Sequence, residues 1–241
     1  MSRLSDFAMA LECCSPDTAA ACRGPVIHQD WRDRFAGHAG VVIGNGPSRL
    51  DWGDLSELHG YGGVKTYGCN AIVDEFAPTV LSVIDSKMCR ELWEWEADRY
   101  FPIFTAQGYR HRVHVLKSQL TRGCGSSAGI LAAHLAVAMG CHPLILMGFD
   151  ESRANVYRGR RNYAGGKPPK EPDRQRQLHF RAWKTFFPEC SRRQVRVYQV
   201  GKATLSCRQL SWVQVRQLLE HFRQAPRDRR GIDRWLARCF A

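Results

Sequence analysis

Apolar residues gather in six short runs along the chain: Gly40 to Ile43, Val64 to Tyr67, Thr79 to Ile84, Val113 to Leu116, Leu144 to Met147 and Val195 to Val200. Runs of this length, separated by helix-length stretches, predict strands of a mainly parallel sheet with helices on both faces. The expected fold class is α/β, doubly wound and Rossmann-like, with helices at the C-terminus. Sheets of this kind bind ligands beyond the C-terminal ends of their strands, so the residues following each run are where chemistry is expected.

The segment Ser126 to Met139 predicts the clearest helix, with Ile130, Leu131, Leu135, Val137 and Ala138 apolar, small residues between them and Gly140 as its stop. Trp212 to Phe222 and Ile232 to Phe240 predict two amphipathic helices separated near Pro226 and Gly231. Residues 1–37 lack sustained periodicity and read as a flexible N-terminal extension, and 38–210 read as the α/β domain. Residues 211–241 form a C-terminal helical segment. Within the domain, 151–172 is rich in Arg, Gly, Asn, Tyr and Pro without apolar periodicity, as expected of a lid loop.

At 241 residues and 44% hydrophobic content the chain can bury a sizeable core. No apolar stretch approaches the roughly 20 residues of a membrane helix, and the first residues do not read as a secretion signal, so a soluble cytoplasmic protein is expected. Ten cysteines include no CxxC pair, which argues for buried free thiols over a zinc knuckle. The net charge of +12 is unevenly placed. Arg153 to Arg196 holds 13 Lys and Arg against 3 acids, and Arg208 to Ala241 holds 8 against 3, whereas residues 1–152 hold 13 against 17. Basic character in the C-terminal third favours an acidic partner, either nucleotide phosphates or a nucleic-acid backbone.

The run Val41-Val42-Ile43 breaks into Gly44-Asn45-Gly46-Pro47-Ser48, a turn that brings backbone N–H groups near a ligand and adds the polar side chains of Asn45 and Ser48. Gly68-Cys69-Asn70 follows the second run, Asp85-Ser86 the third and Gly148-Phe149-Asp150 the fifth. Gly123 to Gly129, containing Ser126 and Ser127, opens the small-residue helix and is suited to hold an anion at its N-terminus. Glycine turns and helix caps are common singly. Polar residues at several strand ends of one sheet are more specific and predict a nucleotide pocket lined by Gly44, Asn45, Gly46, Ser48, Asn70, Asp85, Ser126, Ser127 and Asp150. Asp85 and Asp150, if both face that pocket, have the chemistry to hold Mg²⁺ against a triphosphate.

The order GNGPS, then CN, then a Gly/Ser loop opening a buried helix, then AMGCHPLILMGFD at Ala138 to Asp150, resembles the sialyltransferase-like and MptE-like superfamily, phage-encoded members included. The resemblance spans Gly40 to Leu210. It implies a transferase, a glycosyltransferase using a nucleotide-activated sugar donor, CMP-linked in the sialyltransferases. Asn45 and Asn70 would contact nucleotide and sugar, the Ser127 loop would receive phosphate, and Tyr157 and Tyr163 would steady the leaving phosphate. His179, counted back from the last apolar run, would be the general base, a task that an ordinary pKa near 6.5 suits. The chain departs from many phage members in carrying Asn155-Val156-Tyr157-Arg158-Gly159-Arg160 where they have a His-containing motif. Two alternatives remain: a diphosphokinase using ATP and Mg²⁺ through Asp85 and Asp150, and a non-catalytic nucleic-acid-binding protein. A glycan or DNA are the acceptors to consider.

Overall fold

The run Leu144 to Met147 and its neighbours are buried on both faces, the condition of strands in the middle of a parallel sheet. The computed structural model describes residues 31–105, 114–115, 127–150, 172–201, 204–224 and 228–239. In it, β1 (Ala39–Ile43), β2 (Val64–Cys69), β3 (Val80–Ser82), β4 (Ile103–Thr105), β5 (His114–Val115), β6 (Leu144–Met147), β7 (Val197–Val200) and β8 (Arg208–Leu210) form one sheet. The strand order is β5-β4-β3-β2-β1-β6-β7-β8, every neighbouring pair parallel. The chain winds outward from β1 to β5, returns to place β6 on the other side of β1, and winds outward again. The switch point lies between β1 and β6, where Ile43 is in register with both Gly68 and Met147.

Alternation along the strands sorts the core into two layers, because successive side chains point to opposite faces. Val41, Ile43, Ile145, Met147 and Val200 pack against α1 (Ser86–Glu94), α4 (Trp212–His221) and α5 (Arg229–Cys239). Val42, Tyr67, Val80, Leu144 and Leu146 pack against α2 (Ala128–Ala138) and α3 (Pro172–Arg192). The doubly wound α/β fold expected from the six runs is the fold observed. Two strands, β4 and β8, add to those runs, and the sixth run starts its strand at Val197 rather than Val195.

Of the flexible extension expected over 1–37, residues 1–30 lie outside the described residues. Residues 31–37 are not a loose extension: Trp31 and Phe35 are buried in the layer of α2, and the N–H groups of Asp33 and Phe35 donate to the carbonyls of Ala138 and Met139 at 3.1 and 2.7 Å. These bonds satisfy the orphan carbonyls at the end of α2, which Gly140 terminates with φ of 86°. The C-terminal helices α4 and α5 belong to the same core. The connection from β1 to β2 consists of 3-10 turns, Pro47–Trp52 and Leu55–Gly60, instead of an α-helix. Val215, Leu218, Phe222, Ile232 and Leu236 of the C-terminal helices supply the missing cover beside Trp52, Leu55 and Leu58. Among the described residues, no helix is long and apolar enough to cross a membrane. The described cysteines, Cys69, Cys89, Cys141, Cys190 and Cys207, are free thiols, all but Cys207 buried.

One core residue carries a titratable cost. His134 of α2 is buried edge-on against Phe186, and neither ring nitrogen has a partner among the described residues. Burial pushes its pKa from 6.5 down to about 4, with the charge of Arg193 acting in the same direction. The unfolded chain therefore binds a proton below pH 6.5 that the folded chain refuses until about pH 4. Stability is fully present above that window and falls by roughly 3 kcal/mol on acidification through it. His134→Leu, which removes both nitrogens at similar volume, should flatten the urea-unfolding free energy between pH 6.5 and 4.5 and leave it equal or higher at pH 7.5. An equally steep acid loss in the variant would place the sensitivity elsewhere.

Candidate functional site

The end of β1 is laced to the end of β6. Gly44 N–H donates to Met147 O and Gly46 N–H to Gly148 O, both at 2.8 Å, so the parallel ladder continues two steps past the strands. Ser48 then donates its backbone N–H to Asp150 Oδ2 at 2.8 Å and its hydroxyl to Asp150 Oδ1. A Cβ on Gly46 would stand 2.5 Å from Asp150 Oδ2, so this approach requires glycine. Asp150 is buried, and a buried carboxylate has to be met by such donors. Of the predicted pocket residues, Gly44, Gly46, Ser48 and Asp150 thus form a clasp across the switch point, where open α/β sheets ordinarily keep a crevice.

The free polar groups lie one strand over. Asn45, half-buried, accepts a weak bond from the Cys69 thiol at 3.7 Å, and that thiol also faces Ile43 O at 3.4 Å. Burial pushes Cys69 up to about 12, only partly offset by the charge of Arg49, so its thiol stays protonated at neutral pH and is no nucleophile. Asn70 opens the 3-10 turn Asn70–Asp74 in the left-handed region, with φ of 49°. Its side-chain oxygen is buried and has no hydrogen-bond partner among the described residues. Arg49, also buried, pairs with Glu75 and so ties the first loop to the far end of this turn.

The N-terminus of α2 reaches the same region. Ser82, at the end of β3, donates its hydroxyl to Ala128 O at 2.5 Å and lies 3.3 Å from Gly68 O. Ser127 caps the helix, accepting from Ile130 N–H at 3.4 Å. Phe149 stands beside this end: a Cβ on Gly129 would lie 2.8 Å from its ring and one on Gly44 would lie 3.2 Å away. The main-chain oxygen of Phe149 is held by Gln199 Nε2 at 3.0 Å and by the Thr204 hydroxyl at 2.6 Å. Its ring meets Trp183 of α3 edge-on, with centroids 5.3 Å apart.

His179 sits on α3 one turn before Trp183, about 6 Å along the axis, half-buried and continuing the stripe of Trp183, Phe186 and Cys190. Because α3 runs from the strand-end side of the sheet toward the start of β7, that turn lies on the side of the candidate site. Ser126, Tyr157, Tyr163 and the lid 151–171 lie outside the described residues.

Asp85 is not brought to Asp150. Its carboxylate caps α1, accepting from Lys87 and Met88 N–H at 2.9 and 3.1 Å. Three strand spacings, about 14 Å, separate β3 from β6. One Mg²⁺ spans about 4 Å between ligands. Among the described residues, no group of three or more His, Cys, Asp or Glu is arranged to hold a metal ion.

Sequence reasoning missed Arg49, Ser82, Phe149 and Gln199. Arg49 follows the turn Gly44 to Ser48, Ser82 lies inside the apolar run Thr79 to Ile84, and Phe149 stands inside the segment Ala138 to Asp150. Gln199 carries no signal, because a polar residue within an apolar run reads as a solvent-facing position.

Removal of the clasp should be felt in stability. Asp150→Ala is expected to cost about 3 kcal/mol or more by denaturant unfolding, since hydrogen bonds to a charged acceptor contribute about 1.5–3 kcal/mol each. Ser48→Ala, which keeps the main-chain donor, should cost about half as much. If Asp150→Ala unfolds with the parental midpoint, the carboxylate does not hold these loops together.

Neither a protein-family model, nor a curated protein, nor a solved structure matches the chain.

Proposed function

We propose that the chain is a nucleotide-dependent transferase, a glycosyltransferase of the sialyltransferase-like class, whose donor lies over the ends of β1 and β2 and the start of α2. The observation that carries this reading is the buried side-chain oxygen of Asn70, which has no hydrogen-bond partner among the described residues and follows the Cys69 that contacts Asn45. An acceptor left unpaired in the interior costs about 1–3 kcal/mol, and a ligand O–H or N–H that reaches it recovers that cost. Neutral carboxamides read such groups by direction rather than charge, which suits a ribose or a base. The first N–H groups of α2, which lack intrahelical acceptors, suit the phosphate.

In the proposed reaction the acceptor hydroxyl oxygen forms a bond to the donor sugar carbon as the bond from that carbon to the phosphate oxygen breaks. The electron pair leaves with the nucleotide, and His179 takes the hydroxyl proton. Charge building on the leaving phosphate meets the α2 N-terminus and the basic segment 151–172, in which Tyr157 and Tyr163 keep the roles the resemblance implies. The diphosphokinase alternative has less support, because Asp85 and Asp150 are each committed to neighbouring donors on well-separated strands.

Thermal denaturation with CMP, UDP, GDP and ATP, each with and without Mg²⁺, tests the reading. One nucleotide should stabilise the protein without metal, by about 2.7 kcal/mol at 100 times its dissociation constant. Asn70→Gly, which suits the left-handed backbone and removes the carboxamide, should keep the unliganded melting temperature and lose most of that shift. A shift with ATP that appears only with Mg²⁺ would favour the diphosphokinase. With the donor identified, His179→Ala should lower kcat by about 10²- to 10⁴-fold with donor affinity nearly unchanged. Near-parental turnover in that variant would remove His179 from the mechanism.

A further inference from the structure

The opposite edge of the sheet, where the strands begin, gathers arginines from separate parts of the chain. The C-terminus of α3 brings Arg192 and Arg193, the turn before β7 brings Arg196, and α5 brings Arg230, Arg234 and Arg238. Three contacts tie α5 and the turn before β7 together. Arg196 Nε lies 3.3 Å from Asp233 Oδ1 on α5. His142, just before β6, accepts from Arg196 N–H with Nδ1 at 3.3 Å, so its Nε2 carries the proton and donates to the same Asp233 oxygen at 3.0 Å.

Three of the six arginines are spoken for: Arg192 and Arg193 by Glu189, Arg196 by Asp233. The α5 arginines are different. They recur every four residues, all exposed, and turn away from Ile232 and Leu236, which are fully buried. None forms an ion pair at salt-bridge distance among the described residues. The carboxylate of Asp228 is held below its usual range first by the backbone N–H groups of Gly231 and Arg230, and only secondarily by the charges of Arg234 and Arg230. Like charges at i, i+4 destabilise a helix, so this stripe stands at a cost in the free protein and gains most from an anionic partner.

We propose that this face of α5, flanked by Arg196 and the end of α3, docks the phosphodiester backbone of a nucleic acid. The stripe is about 12 Å long, a row of repeated charge that matches a repeating polyanion better than a single phosphate. Guanidinium groups fork onto phosphate oxygens in pairs, and every cation of the stripe is arginine. An anionic membrane fits less well, because surface-binding helices present apolar residues beside their basic ones, whereas Ile232 and Leu236 are buried in the core and Trp235 is stacked on His221. The face lies at the other end of the strands from Asn45 and Asn70, so it is a second surface and does not depend on the transferase reading.

Fluorescence anisotropy of the full chain with a labelled 20-base-pair duplex and a 20-nucleotide single strand, across a salt series, tests the proposal. Arg230→Gln/Arg234→Gln/Arg238→Gln is compared with Lys87→Gln/Arg90→Gln/Arg99→Gln, which removes the same charge from exposed positions around α1. The α5 variant is expected to weaken duplex binding about tenfold or more at low salt and to reduce the salt slope by about 2.7, the control by less than 1. Thermal melts of both variants verify folding. Equal losses in the two variants would reduce the effect to net charge and overturn the proposal. So would failure of the parent to bind either nucleic acid, or binding only to phosphatidylserine vesicles run in parallel.

Discussion

A carboxylate enclosed by protein has to be met by hydrogen-bond donors, and among the described residues Asp150 obtains two from Ser48, 102 positions earlier in the chain. That requirement sets the shape of the whole strand-end surface. It draws the turn after β1 onto the loop after β6, aligns Gly44 and Gly46 with the β6 backbone, and leaves Asn45, between those two glycines, on the side of β2. Phe149, one residue before the carboxylate, is thereby held beside Gly44 and Gly129. The clasp therefore decides both which part of the sheet edge is sealed and which part is left to a ligand.

A fold of this kind usually invites a ligand into the crevice at the reversal of strand order. Here hydrogen bonds between protein groups occupy that crevice, and the unmet hydrogen-bonding capacity has moved to the end of β2. In the proposed function, the consequence for chemistry is a site read by carboxamides and a helix terminus instead of by paired carboxylates. The pair of buried Arg49 with exposed Glu75 serves the same site, since it fixes the turn that presents Asn70 without placing a net charge beneath it.

The central sheet was legible because β1 and β6 are buried on both faces and so appear as unbroken apolar runs, while β2 departs from one only at Lys65 and Thr66. β8 was not: Arg208 and Gln209 are exposed edge residues, and only Leu210 faces the core. α3 was obscured by Pro188, which a local reading takes as a helix stop, whereas packing of Trp183, Phe186 and Cys190 carries the helix through it. At the site, the sequence marks the right loops but cannot tell a residue that binds a ligand from one that binds another loop. Asp150 and Asn70 look alike as polar residues after a strand. Only the partner of the first, more than a hundred residues distant, and the absence of one for the second among the described residues distinguish them.

The 3-10 connection between β1 and β2 has a consequence for how the chain is made. A helix in that position would cover the face of β1 almost as soon as the strand was synthesised. Its place is instead taken by α4 and α5, and the Arg216 guanidinium that donates to Trp52 O at 2.8 Å arrives 164 residues later. Closing so long a loop carries an entropic cost before any contact rewards it, so the nascent sheet waits with one apolar face open until α4 and α5 have been made. A ribosome stalled before residue 211 then holds a chain whose exposed strands favour aggregation over a stable intermediate.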